Sequence, residues 1–231
     1  MTAEARISEP IATDPDGSGR IAVDPVAVDS VASEPRIEAP YEEALPVPHR
    51  CPWLVHYLLL NPIRRLVENP EKLLQPYVHP GLQVLEPGCG MGYFSLPLAR
   101  MVGPEGRVLC LDVEPRALRR LEERAGKAGL NDRIVARTCE PRDLGLRDHE
   151  GRIDLVVLIH TLHEIEELAG FYHQVCALLS PRGRVLVVEP RGHVRPEQFE
   201  AMMECARRNG LRVYQRPGLG GGCLAALLVR A

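Results

Sequence analysis

No apolar run in this 231-residue chain approaches the ~20 residues that a membrane-spanning helix needs. Its first residues lack a basic segment followed by an apolar core, so no secretory signal is expected, and their acids argue against an organelle transit peptide. Positive charge is not in excess: 28 Lys and Arg stand against 31 Asp and Glu, a net charge of −3. Nucleic-acid binding usually demands a basic face, so none is expected here. No Cys-x-x-Cys pair occurs among the seven cysteines. An odd count without pairing predicts a reduced, cytoplasmic protein rather than a disulfide framework. Cys110, Cys176 and Cys205 fall in strand or helix patterns and read as small core hydrophobes. Cys51, Cys89 and Cys223 fall in or near loops.

Aromatic residues are missing from residues 1–40, which instead hold Pro10, Pro15, Pro25, Pro35 and Pro40. Eight acids against Arg6, Arg20 and Arg36 give that stretch a charge of −5. Such a segment cannot bury enough apolar surface to offset ordering entropy, and it reads as a disordered low-complexity tail. The remainder has the 45% hydrophobic and 26% charged balance, over the whole chain, of an ordinary globular protein. Residues 41–79 change character. Leu54, Leu58, Ile63, Leu66 and Val67 have amphipathic helical spacing, broken at Asn61-Pro62 and Asn69-Pro70, where Asn caps followed by Pro suit helix starts. These helices read either as packing on a domain edge or as a cap that brings Trp53, His56 and Tyr57 toward a substrate.

The stretch Leu82–Ser95, LQVLEPGCGMGYFS, organises the rest of the chain: a buried strand, a glycine turn, then a helix predicted from Tyr93 to Met101. Gly88, Gly90 and Gly92 supply a backbone that takes positive φ and lets a ligand approach. A helix start facing a strand end suits nucleotide-type ligands. The spacing is G-x-G-x-G rather than the dinucleotide G-x-G-x-x-G, and no Lys follows as in a P-loop. Glu86, at the end of the strand, would repel a pyrophosphate and suits a cationic ligand. A second apolar strand, Arg107–Asp112, ends in an acid 20 residues after Gly92. That position can accept both hydroxyls of a ribose, although Asp112 could equally cap the helix beginning at Pro115.

The run Glu86-Pro87-Gly88-Cys89-Gly90-Met91-Gly92 resembles the first motif of class I S-adenosylmethionine-dependent methyltransferases. The resemblance covers residues 80–231 and implies S-adenosylmethionine as cofactor, held by Glu86, Gly88, Cys89, Gly90, Gly92, Asp112 and Val113. Relatives carry an acid after the third strand that contacts the adenine amino group, which aligns Glu140 with that role and leaves Asp143 as the alternative. The family's variable N-terminal helices often form a cap over the cofactor mouth, which favours that reading of residues 41–79.

Strand and helix patterns alternate from there to the carboxyl terminus. Pro115–Ala128 reads as a helix ending near Gly129, Arg133–Thr138 as a strand, and Ile153–Ile159 as a fully buried strand. A helix through Ile165, Leu168, Tyr172, Val175 and Leu179 is expected to stop at Pro181 and Gly183. Strands at Arg184–Glu189, Leu211–Gln215 and Leu224–Val229 and a helix at Pro196–Arg208 complete the pattern. This rhythm predicts an α/β fold with a doubly wound, mostly parallel sheet and helices on both faces. The terminal strand pair must be antiparallel, because only a short loop joins it. The resemblance implies seven strands in the order 3-2-1-4-5-7-6.

Acceptor residues are expected at the carboxyl ends of the fourth and fifth strands, beside the topological switch point. His160, His163 and His193 fall there, and Glu189 closes the fifth strand. His160 or His163 can act as a general base toward an oxygen or nitrogen acceptor. Metal ligation by the three histidines is the alternative, and Thr161-x-x-Glu164 reads as a capping box that explains Glu164 without chemistry. The sequence therefore predicts methyl transfer to a small-molecule acceptor, with no metal, nucleic-acid or membrane partner. A nicotinamide oxidoreductase and a non-catalytic cofactor-binding protein are the readings from other classes.

Overall fold

The computed structural model describes residues 68–219 and 222–231. Asn69 accepts a hydrogen bond from the Lys72 amide and caps a short helix α1, Pro70–Leu74, with Pro70 at its first position as the Asn-Pro pair predicts. Strand β1, Gln83–Pro87, runs into the glycine turn, and helix α2, Ser95–Met101, comes after it. Strand β2, Arg107–Asp112, leads to helix α3, Pro115–Ala128. Glu114, not Asp112, caps α3 through the Arg116 amide, and Gly129 ends it in the left-handed region at φ 67°. Strands β3, Ile134–Thr138, and β4, Ile153–Ile159, come next. Helix α4, Leu168–Leu178, strand β5, Leu179–Pro190, helix α5, Pro196–Arg208, and the strands β6, Leu211–Gln215, and β7, Cys223–Arg230, complete the chain.

The seven strands form one sheet in the order β3-β2-β1-β4-β5-β7-β6. β1 to β5 are parallel, and β7 runs antiparallel to both β5 and β6. Helices α2, α3 and α4 lie in the β1–β2, β2–β3 and β4–β5 crossovers and only the 3₁₀ turn Arg147–His149 in the β3–β4 crossover, whereas the short β6–β7 connection permits only a reversal. Successive strand residues point to opposite faces, and the core divides accordingly. Leu85, Leu109, Val156, Leu158, Val185 and Val187 pack with Phe171, Tyr172, Phe199 and Met202 of α4 and α5. Val84, Val108, Leu155, Val157, Leu186 and Val188 face the other way, toward Leu74, Leu98, Leu118 and Leu121 of α1, α2 and α3. Both faces of β4 are buried, as its unbroken apolar run requires. Each fully buried Leu or Val there contributes ~1.5–3 kcal/mol.

Some bounds differ from expectation for local reasons. α2 begins at Ser95 rather than Tyr93, because the glycine turn continues through Phe94 and no side chain caps the helix. β3 starts at Ile134, and β7 extends one residue at each end, from Cys223 to Arg230. β5 starts five residues early, at Leu179, which pairs with Ile153 before the register shifts across Ser180–Gly183. Pro181 and Gly183 thus lie in an irregular strand rather than at a helix stop. Residues 1–40, and most of the segment 41–79 with Trp53, His56 and Tyr57, lie outside the described residues. No helix among the described residues is long and apolar enough to cross a membrane.

Candidate active site

The carboxyl ends of β1, β2, β4 and β5 face one rim of the sheet, and the order reverses between β1 and β4, where ligands of such sheets bind. On the β1 side, Gly88, Gly90 and Gly92 all have positive φ, at 69°, 54° and 81°. A Cβ on Gly88 would stand 2.8 Å from Thr161 Cγ2, so the turn is closed against the β4 end and admits only glycine. Glu86 is buried at the end of β1. The Ser95 hydroxyl donates to its Oε2 at 2.5 Å, and the Cys110 thiol donates to the same oxygen at 3.8 Å. Burial pushes the Glu86 carboxyl up to about 8 against the pull of these two donors, and the charge of Asp112 adds to the rise.

Asp112 binds the glycine turn to the end of β2. Its Oδ2 accepts from the Gly90 amide at 2.8 Å and its Oδ1 from the Glu114 amide at 2.9 Å. Each oxygen keeps a further lone pair for a ligand hydroxyl. Val113 beside it is 46% exposed, an apolar side chain left open at the rim. Cys89 is buried, and burial, with Cys110, Glu86 and Asp112 nearby, pushes its thiol well up, so it serves as a neutral apolar group. Glu140 is exposed and exchanges backbone hydrogen bonds with Asp143, which places both acids in one tight turn after β3.

On the β4 side the structure corrects the expected capping box. Leu162–Glu164 is a short 3₁₀ turn, and Thr161 gives it no side-chain cap. The Thr161 hydroxyl donates backward, to the Ile159 carbonyl at 3.1 Å. The Thr161 and Leu162 amides are instead capped from another strand: both donate to Glu189 Oε1, at 3.1 and 2.7 Å. Glu189 is fully buried, and its other oxygen meets His163 Nδ1 at 2.6 Å. His163 is accordingly held inward, with 12% of its side chain exposed, rather than pointing to solvent. Burial lowers its pKa, but the hydrogen bond and charge of Glu189 and the charge of Glu164 outweigh that effect and leave it raised.

The three histidines do not converge on one point. His163 and His193 meet edge to face with ring centres 5.4 Å apart, while His160 Nε2 stands 3.1 Å from Glu68 Oε1. His160 is the one non-glycine residue with positive φ among the described residues, at 57°. No motif in the sequence marks Glu189 as the partner of His163. Its only sequence signal is an acid closing a run of buried β-branched residues.

A family model described as a methyltransferase domain matches residues 78–217. The chain belongs to the methyltransferase-domain family. Its cofactor is S-adenosylmethionine. Among curated relatives, a ubiquinone biosynthesis O-methyltransferase from Methylocella silvestris is 29% identical over 136 residues, 54% of this chain and 50% of that protein. A catechol O-methyltransferase from Mycobacterium tuberculosis is 30% identical over 140 residues, 59% of this chain and 62% of that one. The chain thus spans about half the length of the curated relatives it matches. A solved structure, a SAM-dependent methyltransferase from Aquifex aeolicus, shares the fold with a TM-score of 0.71 at 22% identity, covering 79% of this chain and all of that one.

The rim fits this methyltransferase cofactor. Both hydrogen bonds to Glu86 among the described residues fall on Oε2, so Oε1 remains for an ammonium group. A Cβ on Gly88 would collide with Thr161, so glycine is what lets the turn close against the end of β4. Asp112, already oriented by two amides, presents acceptors without further ordering cost.

Proposed function

We propose that this protein methylates a hydroxyl group of a small-molecule acceptor, with His163 as general base. The observation that carries the reading is the buried Glu189, which accepts from two backbone amides and pairs with His163 at 2.6 Å. S-adenosylmethionine supplies an electrophilic methyl group on sulfur. Glu86 takes the ammonium end of the cofactor, the Gly88–Gly92 backbone and Cys89 line its path, and Asp112 accepts from the ribose hydroxyls. Val113 gives the adenine an apolar contact, and Glu140 accepts from its amino group. Pairing with Glu189 places the His163 proton on Nδ1 and leaves the lone pair on Nε2 to take the acceptor's proton. Glu189 then stabilises the imidazolium that forms. His160, turned toward Glu68, is left out of this relay.

A hydroxyl acceptor agrees with the O-methyltransferase names of these relatives. Residues 41–79 act as the cap over this rim, and residues 1–40 as a tail dispensable for the fold. The test pairs cofactor binding with turnover. S-adenosylmethionine and its demethylated product should raise the melting temperature, and NAD should not. Incubation with hydroxylated aromatic and quinol acceptors, with detection by mass spectrometry, should give a product one methylene heavier. His163→Gln should lower that turnover ~10²–10⁴-fold while cofactor affinity stays unchanged. Stabilisation by NAD alone, or full turnover in His163→Gln, would reject the reading.

A further inference from the structure

Outside the His163–Glu189 pair, three side chains of different donor type meet on the same rim. The ligand atoms of Glu68, His160 and Cys223 all lie within 4.8 Å of one another. We propose that Glu68, His160 and Cys223 bind a divalent cation of the zinc class. The site does not depend on the methyl-transfer reading.

The three residues come from distant parts of the chain, and the backbone holds each in place. Glu68 precedes α1, and its carbonyl accepts from the Tyr93 hydroxyl at 2.8 Å. His160 directly succeeds β4, its amide donating to the Val188 carbonyl at 2.8 Å. Its left-handed φ of 57° is unfavourable for an L-residue. Such strain concentrates where a side chain must be aimed. Cys223 opens β7 opposite Pro190, and the neighbouring Gly222 carbonyl accepts from the Arg191 amide at 3.0 Å.

The donor set selects the ion. One carboxylate, one imidazole and one thiol are a mixed O, N and S set, whereas magnesium and calcium take oxygen alone. Ligand atoms on a tetrahedral zinc lie roughly 3.3–3.8 Å apart, given bonds of about 2.0–2.3 Å. His160 Nε2 and Glu68 Oε1 are already at 3.1 Å, so the remaining adjustment is about an ångström of side-chain movement at the thiol. All three residues are half-buried, enough to shed part of their hydration and still admit an ion. Three protein ligands leave a fourth position open, the arrangement of a zinc that binds water or a substrate atom rather than one that only ties a fold together. An ion there would give the rim a means of polarising an oxygen or sulfur atom apart from His163.

Cobalt(II) is the probe, added to metal-free full-length protein and monitored by absorbance. The expected result is one equivalent bound, with a thiolate-to-cobalt charge-transfer band and the intense visible bands of four-coordination, all displaced by zinc. Cys223→Ser should abolish the charge-transfer band. His160→Gln and Glu68→Gln should each weaken binding at least tenfold. Cys176→Ser should change nothing, because that thiol faces the Gly210 carbonyl at 3.6 Å. Circular dichroism verifies that each variant is folded, and Cys223→Ser with Glu68→Gln decides the matter if His160→Gln is not. Folded wild-type protein that binds no stoichiometric cobalt overturns the proposal, as does a charge-transfer band that survives Cys223→Ser.

Discussion

Replacing Glu189 with Gln changes one atom of a fully buried carboxylate and tests the proposed base directly. Its Oε1 accepts from the Thr161 and Leu162 amides, and Oε2 meets His163 Nδ1. The amide oxygen of Gln can keep both backbone donors, so the turn after β4 stays formed. The amide NH₂ then faces His163 Nδ1, which must become the acceptor, and the ring proton moves to Nε2. A histidine in that tautomer has no lone pair toward the acceptor, so turnover should fall by the full contribution of a general base, ~10²–10⁴-fold. Hydrogen bonds to a charged group contribute ~1.5–3 kcal/mol and neutral ones about 1, so the variant should lose about 1–3 kcal/mol of stability. In a domain of this size that is about 2–4 °C per kcal/mol.

The pH dependence adds a reading that needs no acceptor. The wild-type His163 pKa is raised from 6.5 by Glu189 and Glu164 against burial, while His193 lies against its ring. A raised folded-state value gives stability that is fully present below 6.5 and lost as pH rises through the folded value. The neutral, active form therefore appears on the alkaline side of the ordinary histidine range. Glu189→Gln removes the largest upward influence and leaves burial opposed only by the charge of Glu164, so the midpoint should fall. Nitrogen NMR of the histidine side chains reports the midpoint and the tautomer together. An unchanged midpoint with Nδ1 still protonated would refute the argument, whatever happens to the rate.

Asp112→Ala should weaken S-adenosylmethionine binding by ~1.5–3 kcal/mol per charged hydrogen bond lost, measured by calorimetry, and unchanged affinity would remove the ribose assignment. Glu86, raised from 4.5 to about 8 by burial, favours the ligand-free fold at low pH, so that stability should decline from pH 4.5 to 8 while cofactor affinity climbs. Glu86→Gln should remove the decline between pH 4.5 and 6.5, where His163 contributes none, and flatten the affinity trend in calorimetry; trends that persist in that window would place the titrating group elsewhere. Gly92→Ala should lower the melting temperature by several degrees, because the new Cβ would overlap Leu121 Cδ1 and stand 2.9 Å from Leu96 Cδ1 at φ 81°. A variant melting like wild type would show that Leu121 and Leu96 repack freely.

The sheet is legible in the sequence because its signals are local. β4, α5 and β6 fall where periodicity puts them, and the glycine turn announces its own backbone. The irregular start of β5 is not legible, since only the pairing of Leu179 with Ile153 makes those residues a strand. The apparent capping box at Thr161 and Glu164 fails for a related reason. The pattern is local, but the Thr161 amide is taken by Glu189, 28 residues away along the chain, and the Glu164 amide by the Thr161 carbonyl. Glu86, Gly88, Gly90, Gly92 and Asp112 are readable because short motifs carry them. The partners of His160 and His163 come from other parts of the chain, and no spacing rule encodes such pairs.

The reversal of β7 decides where this fold can diversify. A seventh parallel strand would begin on the rim opposite the cofactor turn. Running backward between β5 and β6, β7 instead starts beside Pro190, at the rim that holds His163 and Glu189. The β6–β7 connection therefore starts and ends at that rim. Lengthening it costs little, since each doubling of a loop adds only ~0.6 kcal/mol of closure entropy. The rim beside the proposed acceptor site can then change through insertions at one hairpin while β1 and β2, which end in Glu86-Pro87 and Asp112, keep their register.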